Sequence, residues 1–277
     1  MNAKLLGFAR AEFFSELTGR PQWTVVANTI NTRGTTGDIW IDDIARQTLT
    51  RLTFDGANES PIWTPDGRHV TYSGVVSGKR GIYSIPADGS GKPELLVATE
   101  MNALPQSWTS DGKTLVYLQG DRLWMLPLNP DAGGRQPVQL HDSSLAESEG
   151  EVSRDGHWLA YVSNESGGTD VYVQPFPSPG DKIRISSQGG RAPRWSPNGR
   201  ESFYRSGSSL MAVEVQTAPS FRTGVPHALF LMSAGTTWDV APDGKQFLVE
   251  QLPGGTFRMA VVVNWFDELR KKAPRTR

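Results

Sequence analysis

No cysteine occurs among the 277 residues, which excludes disulfides and thiolate metal sites and leaves the redox compartment open. No apolar run approaches the roughly 20 residues a membrane-spanning helix needs. The apolar stretch within residues 1–10 is too short for a secretory signal, so the sequence offers no support for export. Neither sign of charge is in surplus: 28 Lys plus Arg stand against 29 Asp plus Glu, a formal net charge of −1. Proteins that grip phosphate backbones usually carry a basic excess, so nucleic acid is not an expected partner. Catalytic signatures are missing too. There is no Gly-x-Ser-x-Gly elbow, no Gly-rich phosphate loop opening a domain and no His-Arg-Asp catalytic loop.

What is present is a repeat. Thr64-Pro65-Asp66-Gly67, Thr109-Ser110-Asp111-Gly112, Ser153-Arg154-Asp155-Gly156, Ser196-Pro197-Asn198-Gly199 and Ala241-Pro242-Asp243-Gly244 follow one another at intervals of 45, 44, 43 and 45 residues. Asp-Gly and Asn-Gly are tight-hairpin signals, because Gly and Asn tolerate positive φ and Asp bonds its own backbone. Three residues before each Asp or Asn sit Trp63, Trp108, Val152, Trp195 and Val240; six after it sit Tyr72, Tyr117, Tyr161, Tyr204 and Val249. Between them the chain alternates with a period of two, as strands do. A third strand carries Ile39-Trp40, Ile82-Tyr83, Leu123-Trp124, Val171-Tyr172, Leu210-Met211 and Met259-Ala260, and a fourth runs near Leu52, Leu96, Leu140, Ile185 and Leu229.

Four short strands in about 44 residues make the blade of a β-propeller. The expected fold is all-β: a six-bladed propeller of four-stranded antiparallel blades in a single domain over residues 1–277. Its repeats would span 10–53, 54–98, 99–140, 141–187, 188–230 and 231–265 plus 3–9, followed by a basic tail at 270–277. The aromatic columns are expected to pack blade against blade. The sixth turn is sought at Leu17-Thr18-Gly19-Arg20, with Arg20 replacing the Asp and Trp23 to Val26 as the next strand. Leu6 lies 14 residues before Arg20, as Leu52 does before Asp66, so Leu5 to Phe8 reads as a fourth strand completing the last blade. A rival reading makes Glu12 to Leu17 a helix and leaves five and a half blades.

The repeat, for example Pro193-Arg194-Trp195-Ser196-Pro197-Asn198-Gly199-Arg200, resembles those of TolB and its relatives. Tyr161 to Gly167, Val171 to Pro177 and Val263 to Leu269 look like the TolB-like propellers that follow bacterial serine/threonine kinase domains, notably in acidobacteria. The resemblance covers nearly the whole chain and implies a sensory or protein-binding module. This chain departs from that pattern in lacking a kinase, so fold-level likeness implies function only by analogy.

Among the four histidines, His69 and His157 follow hairpins and His141 and His227 flank outer strands, so all read as surface or turn residues. Gly89-Ser90-Gly91-Lys92 resembles a phosphate loop, but Pro93 follows it and it joins two strands, so it reads as a hairpin. Ligand contact is expected where the innermost strands line the channel. Ile62, Ser107, Glu151, Arg194 and Asp239 immediately precede the Trp/Val column and, by alternation, turn away from it. Glu59, Glu147, Glu149 and Arg191 lie upstream, at the mouth. The plain reading pairs Arg194 with Glu151 or Asp239. The functional one has a peptide, a small polar ligand, or a cation held by Glu151 and Asp239 with carbonyls and water. No catalytic residue, cofactor or dedicated metal site is expected, and a monomer that binds a protein or peptide is the leading expectation. A hydrolase or lyase built at the axis is the alternative.

Overall fold

The computed structural model describes residues 3–5, 13–19, 25–31, 37–43, 46–128, 135–141, 144–232, 237–241, 244, 246–251 and 258–263. Every regular element among them is a strand. In chain order these are β1 (Ala3–Leu5); β2 (Phe13–Gly19), β3 (Val25–Asn31), β4 (Asp38–Asp43) and β5 (Thr48–Arg51); β6 (Asn58–Trp63), β7 (His69–Val76), β8 (Lys79–Pro86) and β9 (Glu94–Ala98). There follow β10 (Ala103–Trp108), β11 (Thr114–Gln119), β12 (Arg122–Pro127) and β13 (Val138–Gln139); β14 (Glu147–Val152), β15 (Trp158–Ser163), β16 (Asp170–Pro175) and β17 (Ile183–Arg184). The last are β18 (Arg191–Trp195), β19 (Glu201–Ser206), β20 (Ser209–Gln216), β21 (Arg222–Thr223) and β22 (His227–Leu231); β23 (Trp238–Val240), β24 (Gln246–Gln251) and β25 (Arg258–Val263).

The fold is a β-propeller of antiparallel, mostly four-stranded blades. Five blades are built from consecutive strands: β2–β5, β6–β9, β10–β13, β14–β17 and β18–β22, the fifth carrying the extra strand β22 on β20. The expectation of six equivalent blades is corrected in this respect. The remaining sheet is of a different make, ordered β1-β25-β24-β23, with Ala3, Lys4 and Leu5 opposite Val262, Val261 and Ala260. Leu6, Gly7 and Phe8, together with Arg20 and the tail at 270–277, lie outside the described residues.

The hairpin repeat has a common hydrogen-bond circuit. Asp66 Oδ1 accepts from the Thr64 hydroxyl and the Arg68 N–H, while Thr64 Oγ1 accepts from the His69 N–H. The same three bonds recur around Asp111, Asp155 and Asn198. The Thr64 hydroxyl, then the Arg68 amide, holds the Asp66 carboxyl below its ordinary range. Gly67, at φ 65°, supplies the left-handed step that closes the turn.

The aromatic columns are core, as expected. Tyr72, Tyr117, Tyr161 and Tyr204 are wholly buried. Each faces the third-strand residue of its own blade, Tyr83, Trp124, Tyr172 and Met211 respectively. In the first blade the residue opposite Trp40 is Asn28, and Gly19 pairs with Val26 as Trp63 pairs with Val70. Gly19, rather than Leu17, therefore occupies the Trp column, and the eroded repeat begins two residues later than its sequence suggests. With no Asp-Gly to anchor it, only strand pairing sets that register. Residues 13–19 form a strand, which removes the helical alternative.

A second internal lock sits at the start of some third strands. Buried Asp38 accepts from the Thr53 hydroxyl (3.0 Å) and the Gly56 N–H (3.0 Å), and also pairs with Arg51. Asp170 repeats this with the Ser186 and Ser166 hydroxyls (2.6 Å each) and the Gly189 N–H (3.2 Å). These carboxylates tie the end of one blade to the segment that leads into the next.

Candidate functional site

The innermost strands β6, β10, β14 and β18 lie each against the next, and β23 lies against both β18 and β2. Each of β6, β14 and β18 begins with a bulge. Ser60, Glu149 and Ala192, three residues before Trp63, Val152 and Trp195, adopt φ of 54°, 54° and 51° where the register shifts. A bulge of this kind re-aims the side chains that follow it.

Those side chains form a one-way chain of links around the axis. Ser107 Oγ accepts from the Val152 N–H of the following blade at 3.0 Å. Glu151 Oε1 accepts from the Trp195 N–H at 3.2 Å, one blade further on, and Glu149 Oε2 accepts from the Ala192 N–H at 2.5 Å. Indoles reach back the other way: Trp108 Nε1 donates to Thr71 Oγ1, and Trp195 Nε1 donates to the Glu151 carbonyl. Ile62, at the matching position of the second blade, has no polar atom to contribute.

Arg194 closes this series. Its Nη1 lies 3.5 Å from Glu151 Oε2 and its Nε 3.7 Å from Asp239 Oδ1. Its shortest bond is to the neighbouring Pro193 carbonyl (2.8 Å), and its guanidinium stands 5.9 Å from the Trp238 ring centre. The plain pairing of Arg194 therefore holds with both acids together. Enclosure between blades pushes the Glu151 carboxyl up to about 7, against the pull of Arg194 and the Trp195 N–H. About a fifth of its side chain, 21%, still meets solvent. Loss of hydration nonetheless outweighs the nearby cation.

The upstream residues divide. Glu59 accepts from Asn102 Nδ2 at 2.6 Å, and Asn102 Oδ1 in turn accepts from the Ser73 hydroxyl. Arg191 is exposed and reaches Thr169 Oγ1 only at 3.4 Å. Glu147 does not face the mouth. It is 3% exposed, with Oε1 2.6 Å from Nδ1 of buried His141, a close approach not aligned as a hydrogen bond. His141 also packs on Tyr161, their rings 5.2 Å apart.

The surface reading of His141 is thus wrong, while His157 is exposed and His69 and His227 are partly buried. A signal was available. The residue after the fourth-strand Leu or Ile is buried in each of four successive blades: Thr53, Val97, His141 and Ser186. Among the described residues no three His, Asp or Glu side chains gather as a metal site, and no helix is long and apolar enough to cross a membrane.

No family model matches the chain. A dipeptidyl-peptidase 5 of Trichophyton equinum is 29% identical over 107 residues, covering 35% of this chain and 15% of the peptidase. The matched stretch therefore spans only about 15% of that relative's length. Solved structures match over far more. A TolB-type protein of Agrobacterium tumefaciens covers 91% of both chains with a TM-score of 0.64 at 17% identity. TolB of Acinetobacter baumannii covers 91% of this chain and 63% of its own, with a TM-score of 0.65 at 17% identity. An oligogalacturonate lyase in complex with manganese gives a TM-score of 0.62 at 10% identity, over 91% of this chain and 89% of its own. At these identities the likeness concerns architecture alone, that of a β-propeller.

Proposed function

We propose that this chain is a non-catalytic propeller that binds a protein or peptide at its channel mouth. In this reading β1 is the strand that seals the composite sheet begun by β23. The observation that carries it is the engagement of the axial groups. The lone pairs of Glu149 and Glu151 go to backbone amides of the next blade, and Arg194 lies between Glu151 and Asp239. Side chains committed to holding blades together make a rigid rim, which suits recognition better than proton or group transfer. The TolB-like architecture agrees with this, and the sequence likeness to kinase-linked propellers gives a sensory role as one form of it. The test is capture of protein partners, or binding to a peptide array, by wild type and by the Glu149→Gln, Arg191→Gln and Arg194→Gln variants. Weakened capture is expected, and capture indifferent to all three removes the proposed surface.

One feature favours an enzyme as a second reading. Glu151, raised to about 7 beside Asp239 and Arg194, has the poise of a general acid or base. A hydrolase or lyase at the axis would use it, with or without a cation taking the place of Arg194 between the two acids. Turnover in a screen of substrate classes, abolished by Glu151→Gln, would establish this reading, and none with or without added divalent metal would end it.

A further inference from the structure

Arg191 and Arg205 stand directly opposite each other on β18 and β19. Directly opposed residues of an antiparallel pair project from the same face, about 5 Å apart at Cβ, and like charges placed so repel. The repulsion is not relieved locally. Among the described residues no carboxylate lies within 4.0 Å of either guanidinium. Arg205 Nε donates to the Gly207 carbonyl (2.9 Å) and Arg191 Nη2 reaches Thr169 Oγ1 (3.4 Å). Most of their N–H groups remain available. Elsewhere around the mouth the acids are occupied: Glu59 by Asn102, Glu149 by the Ala192 amide and Glu151 by Trp195 and Arg194.

We propose that Arg191 and Arg205 form an anion site at the mouth of the fifth blade, and that its ligand is a carboxylate of an acidic peptide segment. A guanidinium is a planar fork of donors that matches a carboxylate, and one anion bridging the two arginines would cancel the repulsion between them. Glu149 and Glu151 lie one blade away, so a singly charged carboxylate suits the site better than a dianionic phosphate. This rests on the binding-module reading and specifies what that mouth recognises.

The probe is a fluorescein-labelled polyglutamate peptide, followed by anisotropy at low ionic strength with the full chain. Saturable binding is expected, weakened about tenfold or more by Arg191→Gln and by Arg205→Gln, and displaced by succinate more readily than by inorganic phosphate. Arg205→Glu supplies a control for folding. It turns the repelling pair into an ion pair, so this variant is expected to melt above wild type while losing the peptide. Absence of saturable binding, binding unchanged in the Gln variants, preference for phosphate, or a lower melting temperature for Arg205→Glu would each overturn the site. A protein partner captured equally by wild type and the Arg191→Gln/Arg205→Gln double variant would overturn it and leave the binding module standing. Peptide binding lost in that variant, with no protein captured by wild type, would do the reverse.

Discussion

Glu151 shows how one side chain can belong to the scaffold and still respond to its surroundings. Its carboxyl is raised from an ordinary 4.5 to about 7 by enclosure, so between these values the folded chain holds a proton that the unfolded chain has released. Stability from this group is therefore greatest below about pH 4.5 and falls as pH rises toward 7, by something on the order of 1–3 kcal/mol. Glu151→Gln keeps an acceptor for the Trp195 N–H but cannot ionise. Urea unfolding across this range should show a falling stability for wild type and a flatter profile for the variant. Parallel profiles would place the carboxyl in ordinary solvent.

At the scale of elements, the blades are held by polar locks as well as by tyrosines. Asp170 is 5% exposed. Burial acts to raise its pKa, but bonds from Ser166 and Ser186 and the nearby Arg184 outweigh it and keep the carboxyl low. Asp170→Ala would leave the buried Ser186 hydroxyl without its acceptor and cost about 1–3 kcal/mol, read as a lower urea midpoint. Asp170→Asn, which keeps one acceptor oxygen, should cost less. Such locks were hidden from sequence reasoning because Ser186 and Gly189 lie 16 and 19 residues from Asp170 and need the blade to bring them together. The hairpins were visible for the opposite reason: Thr64, Asp66 and Gly67 complete their circuit within a few residues. The first blade fell between these cases. Without an Asp-Gly its register depended on tertiary pairing, and the two-residue displacement at Gly19 followed. Of the residues that alternation turned toward the channel, Glu151, Arg194 and Asp239 meet. Alternation could not show that Glu147 turns inward to His141, because facing depends on the bulge at Glu149.

For the molecule as a whole, the composite sheet matters most. β1 contributes only Ala3–Leu5, yet it covers one edge of β25. Deleting residues 1–5 would expose that edge, and an uncovered edge invites pairing with another chain. The expected result is a melting temperature lower by a few degrees, at about 2–4 °C per kcal/mol for a chain of this size, with self-association visible by light scattering. Melting and monomer content identical to the full chain would argue against closure by β1.

The links around the axis are not equal. From the third blade to the fourth, and from the fourth to the fifth, a side-chain oxygen grips a backbone N–H of the neighbour. From the fifth blade onward the Val240 N–H is instead taken by its own Asp239, and the connection passes through Arg194 at 3.7 Å. The junction between β18 and β23 is thus made through side chains, where the two before it are made to the backbone. A strain that pulls the fifth blade from β23 would therefore be borne by an arginine and two carboxylates, groups that salt can screen.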